Sequence, residues 1–225
     1  MKPPCDLLIL AAFPPELAPL KDVLGEGLRR SFGGHEVAAA AVGVGMVQAA
    51  AGAARIVGME RPARVVLVGT CGGFGDAIGV GDVAVAGRIV LAEPAVVRGE
   101  GAYPEPMVTE LLADEGMATE LVARGGKRVG VATTLAVTTD DGLAERLSAS
   151  TGCGVEHLEA FGVATTCAMA GVPFVSVLGV ANRVGSTGRS EWRENHVRAS
   201  AAAIDLLVRW MVVLSGEPSG GGVGA

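Results

Sequence analysis

The chain is poor in aromatic residues and in charge. Only 4% of its 225 residues are aromatic, 19% are charged, and the formal net charge is −6. No block of Lys or Arg occurs, so the sequence argues against nucleic acid or an anionic membrane surface as a partner. With so few rings, a platform that stacks unpaired bases is disfavoured too.

Cysteine is sparse as well. The chain has four cysteines, with no Cys-x-x-Cys pair and no spacing typical of a metal site: Cys5, Cys71, Cys153 and Cys167. A chain of this length can bury a core without disulfides. We therefore predict reduced thiols, a cytoplasmic location and no bound metal.

An uninterrupted membrane span is missing, although the mean hydropathy is +0.46. The stretch 160–181 carries no charge and would be long enough to cross a bilayer. However, Gly171-Val172-Pro173 divides it, and Thr165 and Thr166 lie in its first half. We predict a buried helix, a turn and a buried strand there, and no membrane partner.

Apolar runs that alternate with helical periodicity are abundant, and 50% of the residues are hydrophobic. This pattern predicts an α/β fold, a single-domain three-layer α/β/α structure with a central mixed sheet. The domain would span residues 1–215, and a disordered Gly-rich tail would follow at 216–225. Predicted helices include 105–124, 156–170 and 190–214.

Unusual residues follow four of the predicted strands: Glu16, Gly43-Val44-Gly45, Gly69-Thr70-Cys71-Gly72-Gly73 and Asn182-Arg183. Ligands of open α/β sheets bind beyond the carboxyl ends of the strands, so we expect a pocket there, with simple turns as the alternative. The first glycine turn partly matches a dinucleotide-binding fingerprint. Because Gln48 replaces the third glycine, no cofactor is predicted.

Two polar residues in apolar surroundings suggest what the pocket binds. Glu159 precedes the uncharged stretch, where a carboxylate is costly unless it is hydrogen-bonded, for example to two neighbouring sugar hydroxyls. The alternative is a carboxylate that backbone N–H groups satisfy at a helix start. Asn182 offers a donor and an acceptor in one plane, which suits a heterocycle edge; the alternative is a turn-forming Asn.

Several segments, taken in chain order from about residue 7 to residue 214, resemble the purine nucleoside phosphorylase and methylthioadenosine nucleosidase superfamily. The resemblance covers the first strand with its catalytic glutamate, the glycine turn, the Gly-Gly loop with the following "VGD" strand, the ribose-binding motif and the approach to the base-binding residue. The matching segments are Leu10–Leu17, Val42–Gln48, Val68–Phe74, Val80–Val83, His157–Ala160 and Gly171–Phe174.

The resemblance implies hydrolysis of the bond between a ribose and a purine, without metal or cofactor. Glu16 would be the general base, Thr70 would help to place the water, and Glu159 would bind the 2′ and 3′ hydroxyls. Gly72 and Leu158 would contact the substrate. The resemblance also implies a homodimer or a larger homo-oligomer.

Within the superfamily, Asn182-Arg183-Val184-Gly185 with Arg189 and Trp192 resembles the futalosine hydrolases of menaquinone biosynthesis. The adenine-specific nucleosidases have Asp where this chain has Asn182, and an amide can donate to a 6-oxo group. Asn182 would then stabilise departing hypoxanthine, while Arg183 or Arg189 would bind the benzoate of futalosine. The alternatives are a methylthioadenosine/S-adenosylhomocysteine nucleosidase, a purine nucleoside phosphorylase and a non-catalytic nucleoside sensor.

Two positions depart from the family pattern. Leu178 stands where the nucleosidases have an Arg near the water. His157 replaces the first Glu of their Glu-Met-Glu motif, unless this segment has gained one residue. No aromatic residue aligns near 138–143, so the sequence does not identify the residue that stacks on the base.

Overall fold

Apolar runs form the strands of one mixed sheet in this computed structural model, which describes residues 5–214. In chain order the strands are β1 (Leu7–Ala11), β2 (Arg29–Phe32), β3 (His35–Ala41), β4 (Val65–Gly73), β5 (Val83–Leu91), β6 (Glu110–Leu112), β7 (Lys127–Thr133), β8 (Val155–Glu156) and β9 (Phe174–Arg183). The sheet order is β2-β3-β1-β4-β8-β7-β5-β6, and β9 pairs with both β4 and β5.

Seven α-helices and one 3₁₀ helix cover this sheet in the described part of the chain. They are a 3₁₀ helix (Pro14–Leu20), α1 (Lys21–Leu24), α2 (Met46–Glu60), α3 (Pro94–Val97), α4 (Glu115–Val122), α5 (Asp141–Thr151), α6 (Ala160–Ala170) and α7 (Gly188–Leu214). Helix α2 packs against α6, whereas α7 packs on β9 and β4 together with α4 and the 3₁₀ helix. The predicted three-layer α/β/α class with a central mixed sheet is confirmed.

The central strands are continuous apolar runs because both of their faces are covered. All five residues of β1 and the first eight of β9 are buried. Strands β1, β4 and β9 run parallel to one another. Their carboxyl ends therefore meet at one edge of the sheet, where the 3₁₀ helix and the last residues of β9 present polar side chains.

One predicted helix is partly wrong. Of the span 105–124, only Glu115–Val122 is helical, and Glu110–Leu112 forms an edge strand paired with β5. The boundary has a local cause, because the Asp114 carboxylate accepts a hydrogen bond from the Met117 N–H at 2.9 Å and caps the helix. An edge strand of three residues is too short for its periodicity to be seen in the sequence.

The helix predicted from residue 156 begins later, at Ala160. Glu156 belongs instead to β8, which pairs with the end of β4 and with β7. The three residues between strand and helix line the candidate site described below. The tail predicted at 216–225 lies outside the described residues.

The four cysteines are free and buried. None of the helices between residues 5 and 214 combines the length and the apolar character that a bilayer crossing requires.

Candidate active site

A cavity of about 520 Å³ opens at the edge of the sheet where β1, β4 and β9 end. It is bounded by the residues that follow these strands, by the entrance of α6 and by the first turns of α7. Seven of the eight residues predicted for the site line it: Glu16, Thr70, Gly72, Leu158, Glu159, Asn182 and Arg189. Arg183 does not. Segments that are far apart in sequence thus converge on one space.

Glu16 lies in the 3₁₀ helix directly after β1, and its side chain is buried. Its Oε2 accepts a hydrogen bond from the Ala12 N–H at 3.1 Å, and its Oε1 accepts one from the Thr70 N–H at 3.1 Å. The carboxylate can approach β4 this closely because residue 69 is Gly. A Cβ at Gly69 would lie 2.9 Å from Oε1.

The environment of Glu16 shifts its pKa toward neutral pH. Burial raises the pKa of Glu16 to about 7, against the opposing effect of the Thr70 N–H. The carboxylate of Glu159 adds to the rise. A group with such a pKa can both accept and release a proton near pH 7.

Glu159 immediately precedes α6 and is also buried. Its side chain makes no capping bond to its own helix. Instead, Oε1 accepts a hydrogen bond of 2.7 Å from the Gly45 N–H in the turn between β3 and α2. The alternative of a carboxylate satisfied at the start of its own helix is therefore not what the structure shows. The carboxylate lies on the cavity wall, linked to the glycine turn.

His157 performs the capping that Glu159 does not. Its Nδ1 accepts hydrogen bonds from the N–H groups of Glu159 and Ala160, both at 3.2 Å. Burial lowers the pKa of His157. Because Nδ1 is an acceptor, the ring is neutral, and its 3.4 Å approach to Glu159 Oε2 is not an ion pair. His157 is thus a structural residue at the base of the site.

Glu156 belongs to a network that the sequence reasoning missed. Its carboxylate accepts hydrogen bonds from the Thr138 hydroxyl at 2.5 Å and from the Thr138 N–H at 3.1 Å, and it shares the Thr134 hydroxyl, at 3.2 Å, with the Ala136 carbonyl at 2.9 Å. Burial raises the pKa of Glu156. The network holds the segment 134–139 against the cavity. A Glu after the buried Val155, preceded by a Thr-rich segment, was the available signal.

Asn182 is half-buried near the end of β9 and faces Gly72 of β4. Its Nδ2 donates a 2.7 Å hydrogen bond to the Arg183 carbonyl, which leaves Oδ1 and one N–H for a ligand. A Cβ at Gly72 would lie 2.9 Å from Nδ2, so glycine is required for this amide position. Leu178, four residues earlier, is fully buried and does not line the cavity.

The two candidate arginines are placed differently. Arg183 is exposed, and its guanidinium pairs with Asp76 at 3.0 Å, away from the cavity. Arg189, in the first turn of α7, lines the cavity, and its guanidinium makes no hydrogen bond or ion pair with another residue of the described range 5–214. Of the two, only Arg189 offers a free cation to a ligand.

Phe13 and Trp192 are the aromatic side chains among the described residues that line the cavity. Trp192 donates its indole N–H to Thr70 Oγ1 at 3.1 Å, so one edge of the ring is committed to the protein. Val137 is also part of the lining and is 64% exposed. The residue that stacks on a base stays unassigned.

A family profile described as "Phosphorylase superfamily" matches residues 6–210. The chain is 23% identical, over 184 residues, to a 5′-methylthioadenosine/S-adenosylhomocysteine nucleosidase of Halalkalibacterium halodurans; the match covers 78% of this chain and 80% of that protein.

Solved structures show the same fold. The S. pneumoniae methylthioadenosine/S-adenosylhomocysteine nucleosidase with a transition-state inhibitor has a TM-score of 0.83 at 17% identity, covering 93% of this chain and 99% of that chain. A futalosine hydrolase mutant of Helicobacter pylori has a TM-score of 0.82 at 16% identity, with the same coverage.

Proposed function

Because the chain belongs to the phosphorylase superfamily, we propose that it hydrolyses the N-glycosidic bond of a purine nucleoside at this cavity. The observation that carries the proposal is the pair of buried carboxylates, Glu16 and Glu159, on the wall of one cavity. One carboxylate is suited to act on water and the other to bind the sugar.

In the proposed mechanism, the bond to the purine loosens first and the ribose becomes oxocarbenium-like. Glu159 accepts from the 2′ and 3′ hydroxyls, contacts that strengthen in such a transition state. Glu16 takes a proton from the attacking water, and Asn182 stabilises the departing base. The Gly45 N–H keeps the Glu159 carboxylate oriented before substrate arrives.

The environment of the glycine turn favours hydrolysis over phosphorolysis. A phosphate site at this turn would need free N–H groups or a cation. The Gly45 N–H is already engaged by Glu159, and residues 43–48 contain no Lys or Arg. The nearby carboxylates of Glu16 and Glu159 would repel a phosphate.

Methylthioadenosine or S-adenosylhomocysteine is the first candidate substrate. The curated relative and several of the similar structures are nucleosidases named for these compounds. The comparisons therefore support this candidate better than futalosine.

Futalosine is the second candidate, and it is supported by the chain's own residues. Asn182 lacks the acidic proton that a carboxyl could give to N7 of adenine, and its amide suits a 6-oxopurine. The free cation of Arg189 lines the same cavity and suits an acidic 5′ substituent.

An assay of base release tests both the reaction and the substrate. The protein is incubated with methylthioadenosine, S-adenosylhomocysteine, futalosine and inosine, with and without phosphate. Phosphate-independent release of any purine supports hydrolysis, whereas ribose-1-phosphate as the product contradicts it. The preferred substrate separates the two candidates.

Asn182→Asp gives the matched comparison for the base. If futalosine is preferred, we expect this variant to shift the ratio of kcat/KM values toward adenine nucleosides by about tenfold, since one hydrogen bond is exchanged. An unchanged ratio would remove Asn182 from base recognition.

A further inference from the structure

A chain of hydrogen bonds connects helix α7 to Glu16. The Trp192 indole N–H donates to Thr70 Oγ1 at 3.1 Å, and Thr70 Oγ1 lies 3.4 Å from Glu16 Oε1. Oε1 also accepts the Thr70 N–H. Thr70 therefore links the Trp192 indole to the carboxylate by hydrogen bonds.

Only one assignment of donors and acceptors is consistent with these three hydrogen-bonded groups. An indole N–H can only donate, so Thr70 Oγ1 must accept from Trp192. The acceptor within reach of the Thr70 hydroxyl proton is then Glu16 Oε1. A hydroxyl that accepts a hydrogen bond also donates more strongly, because successive hydrogen bonds polarise one another.

This arrangement makes the two oxygens of Glu16 unequal. Oε1 receives two donors from Thr70, which occupy both of its lone pairs. Oε2 receives only the Ala12 N–H and keeps one lone pair. Oε2 is therefore the oxygen that can take a proton from water.

Trp192 is itself held in place by His196, one turn further along α7. The His196 ring stacks on it, with ring centroids 4.2 Å apart, and His196 Nδ1 donates to the Trp192 carbonyl at 3.0 Å. One turn further along α7, the Ser200 hydroxyl donates to the Glu16 carbonyl at 3.2 Å. Helix α7 thus contacts both the backbone of Glu16 and the hydroxyl that faces its side chain.

We propose that Trp192 is a positioning residue for the general base: its indole N–H orients the Thr70 hydroxyl toward Glu16 Oε1 and so leaves Oε2 as the basic oxygen. The inference rests on the proposed role of Glu16. Without this N–H, the Thr70 hydroxyl is neither oriented nor polarised by the indole, so its hydrogen bond to the ionised carboxylate becomes weaker.

Trp192→Phe removes the N–H, and Trp210→Phe is the matched control. Trp210 is the other tryptophan of the chain, and it donates to Glu120 Oε2 at 2.6 Å, outside the cavity. We expect Trp192→Phe to lower kcat about three- to tenfold with little change in KM, which corresponds to one neutral hydrogen bond. Trp210→Phe should leave kcat and its pH profile unchanged.

The pKa of Glu16 gives a readout that needs no turnover. A ¹³C NMR titration of labelled glutamate carboxyls, assigned with Glu16→Gln, should show a higher pKa of Glu16 in Trp192→Phe, since the ionised form has lost support. Other titratable or charged groups that share the cavity or flank Trp192 are Glu156, His157, Glu159, Arg189 and His196. Their signals must be followed in the same samples.

Two further variants separate the loss of the N–H from a folding defect and test the role of Thr70. Benzothienylalanine at position 192 preserves the ring shape and removes only the N–H, so it should reproduce the effect even if Trp192→Phe folds poorly. In a Thr70→Val background, removing the N–H should have almost no further effect.

An unchanged pKa of Glu16 in both position-192 variants would overturn the proposal, as would an equal effect in the Thr70→Val background. These outcomes differ from a failure of the proposed function. If the proposed function is wrong, the wild type releases no base, or Glu16→Gln turns over normally, while the NMR titration still reports the Trp192 contact.

Discussion

The two ends of the cavity are built from different kinds of structure. At the water and sugar end, Glu16 and Glu159 are buried, and backbone N–H groups from other elements bond to their carboxylates. At the other end, Asn182 is half-buried near the end of β9, and Arg189 is exposed in the first turn of α7. Thus the groups proposed to act on the water and the sugar are embedded at the sheet edge, whereas those proposed to contact the base and the 5′ group lie closer to the surface.

The embedded end should show the largest mutational effect. Glu16→Gln keeps the shape of the side chain but removes the base, so we expect kcat to fall at least about a hundredfold while KM changes little. Steady-state kinetics of base release measure this loss, and added phosphate should not restore the rate. Glu115→Gln, a change on the surface pair with Arg128, is the control. Normal turnover by Glu16→Gln would contradict the proposed hydrolase.

The pH dependence of kcat/KM and of stability gives a second test of Glu16. With the pKa of Glu16 raised to about 7 by burial, kcat/KM should fall about tenfold per pH unit below pH 7. Because this pKa is above the ordinary glutamate value of 4.5, the native state holds its proton longer than the unfolded chain, and the contribution of Glu16 to stability decreases as pH rises from 4.5 to 7. Denaturation at several pH values should show that Glu16→Gln lacks this pH dependence, which amounts to about 3 kcal/mol over the range. An acid limb below pH 5 would disprove the assignment.

Glu159→Gln tests the sugar side of the embedded end. The amide can still accept one hydroxyl but presents a donor where the second acceptor was. We expect kcat/KM to fall about 10- to 100-fold, in line with charge-assisted hydrogen bonds of about 1.5–3 kcal/mol. The thermal midpoint should be measured alongside, because the Gly45 contact is altered too. Unchanged kcat/KM at unchanged stability would remove Glu159 from the site.

The exposed end should show the smallest effect, and one confined to some substrates. Arg189→Ala should lower kcat/KM up to about tenfold for a nucleoside with an acidic 5′ group, and much less for inosine, because an exposed ion pair is worth little. Arg183→Ala is the matched control, since its guanidinium pairs with Asp76 outside the cavity. Equal losses for both substrates in Arg189→Ala would mean that the arginine does not recognise the 5′ group.

The contrast between the embedded and the exposed end of the cavity also explains how far the sequence could predict the site. The family and the fold class were predicted correctly, because they depend on long apolar runs and on motifs in a fixed order. Glu16 and Glu159 could be found because each carboxylate lies beside an apolar element, where an unpaired charge is costly. That cost is visible in the sequence without any knowledge of partners.

Other features depend on geometry that short spacing does not encode. Arg183 and Arg189 are six residues apart, yet only Arg189 lines the cavity, because the turn between them reverses the chain before α7. The capping by His157 and the contact between Trp192 and Thr70 were also not predictable. Each depends on side-chain direction, and the second joins residues that are 122 positions apart.

Helix α7 has a consequence for engineering this protein. At 1.5 Å per residue, its 27 residues span about 40 Å, but only its first turns line the cavity, while residues such as Ala203 and Leu207 are buried in the core. A combinatorial library over positions 184–191 that keeps Gly185 and Gly188, where a Cβ would clash with Asp141 and with the Arg183 carbonyl, would therefore vary the pocket rim and leave the anchoring part of the helix intact. Substrate preference can then be varied without changing the core contacts of α7.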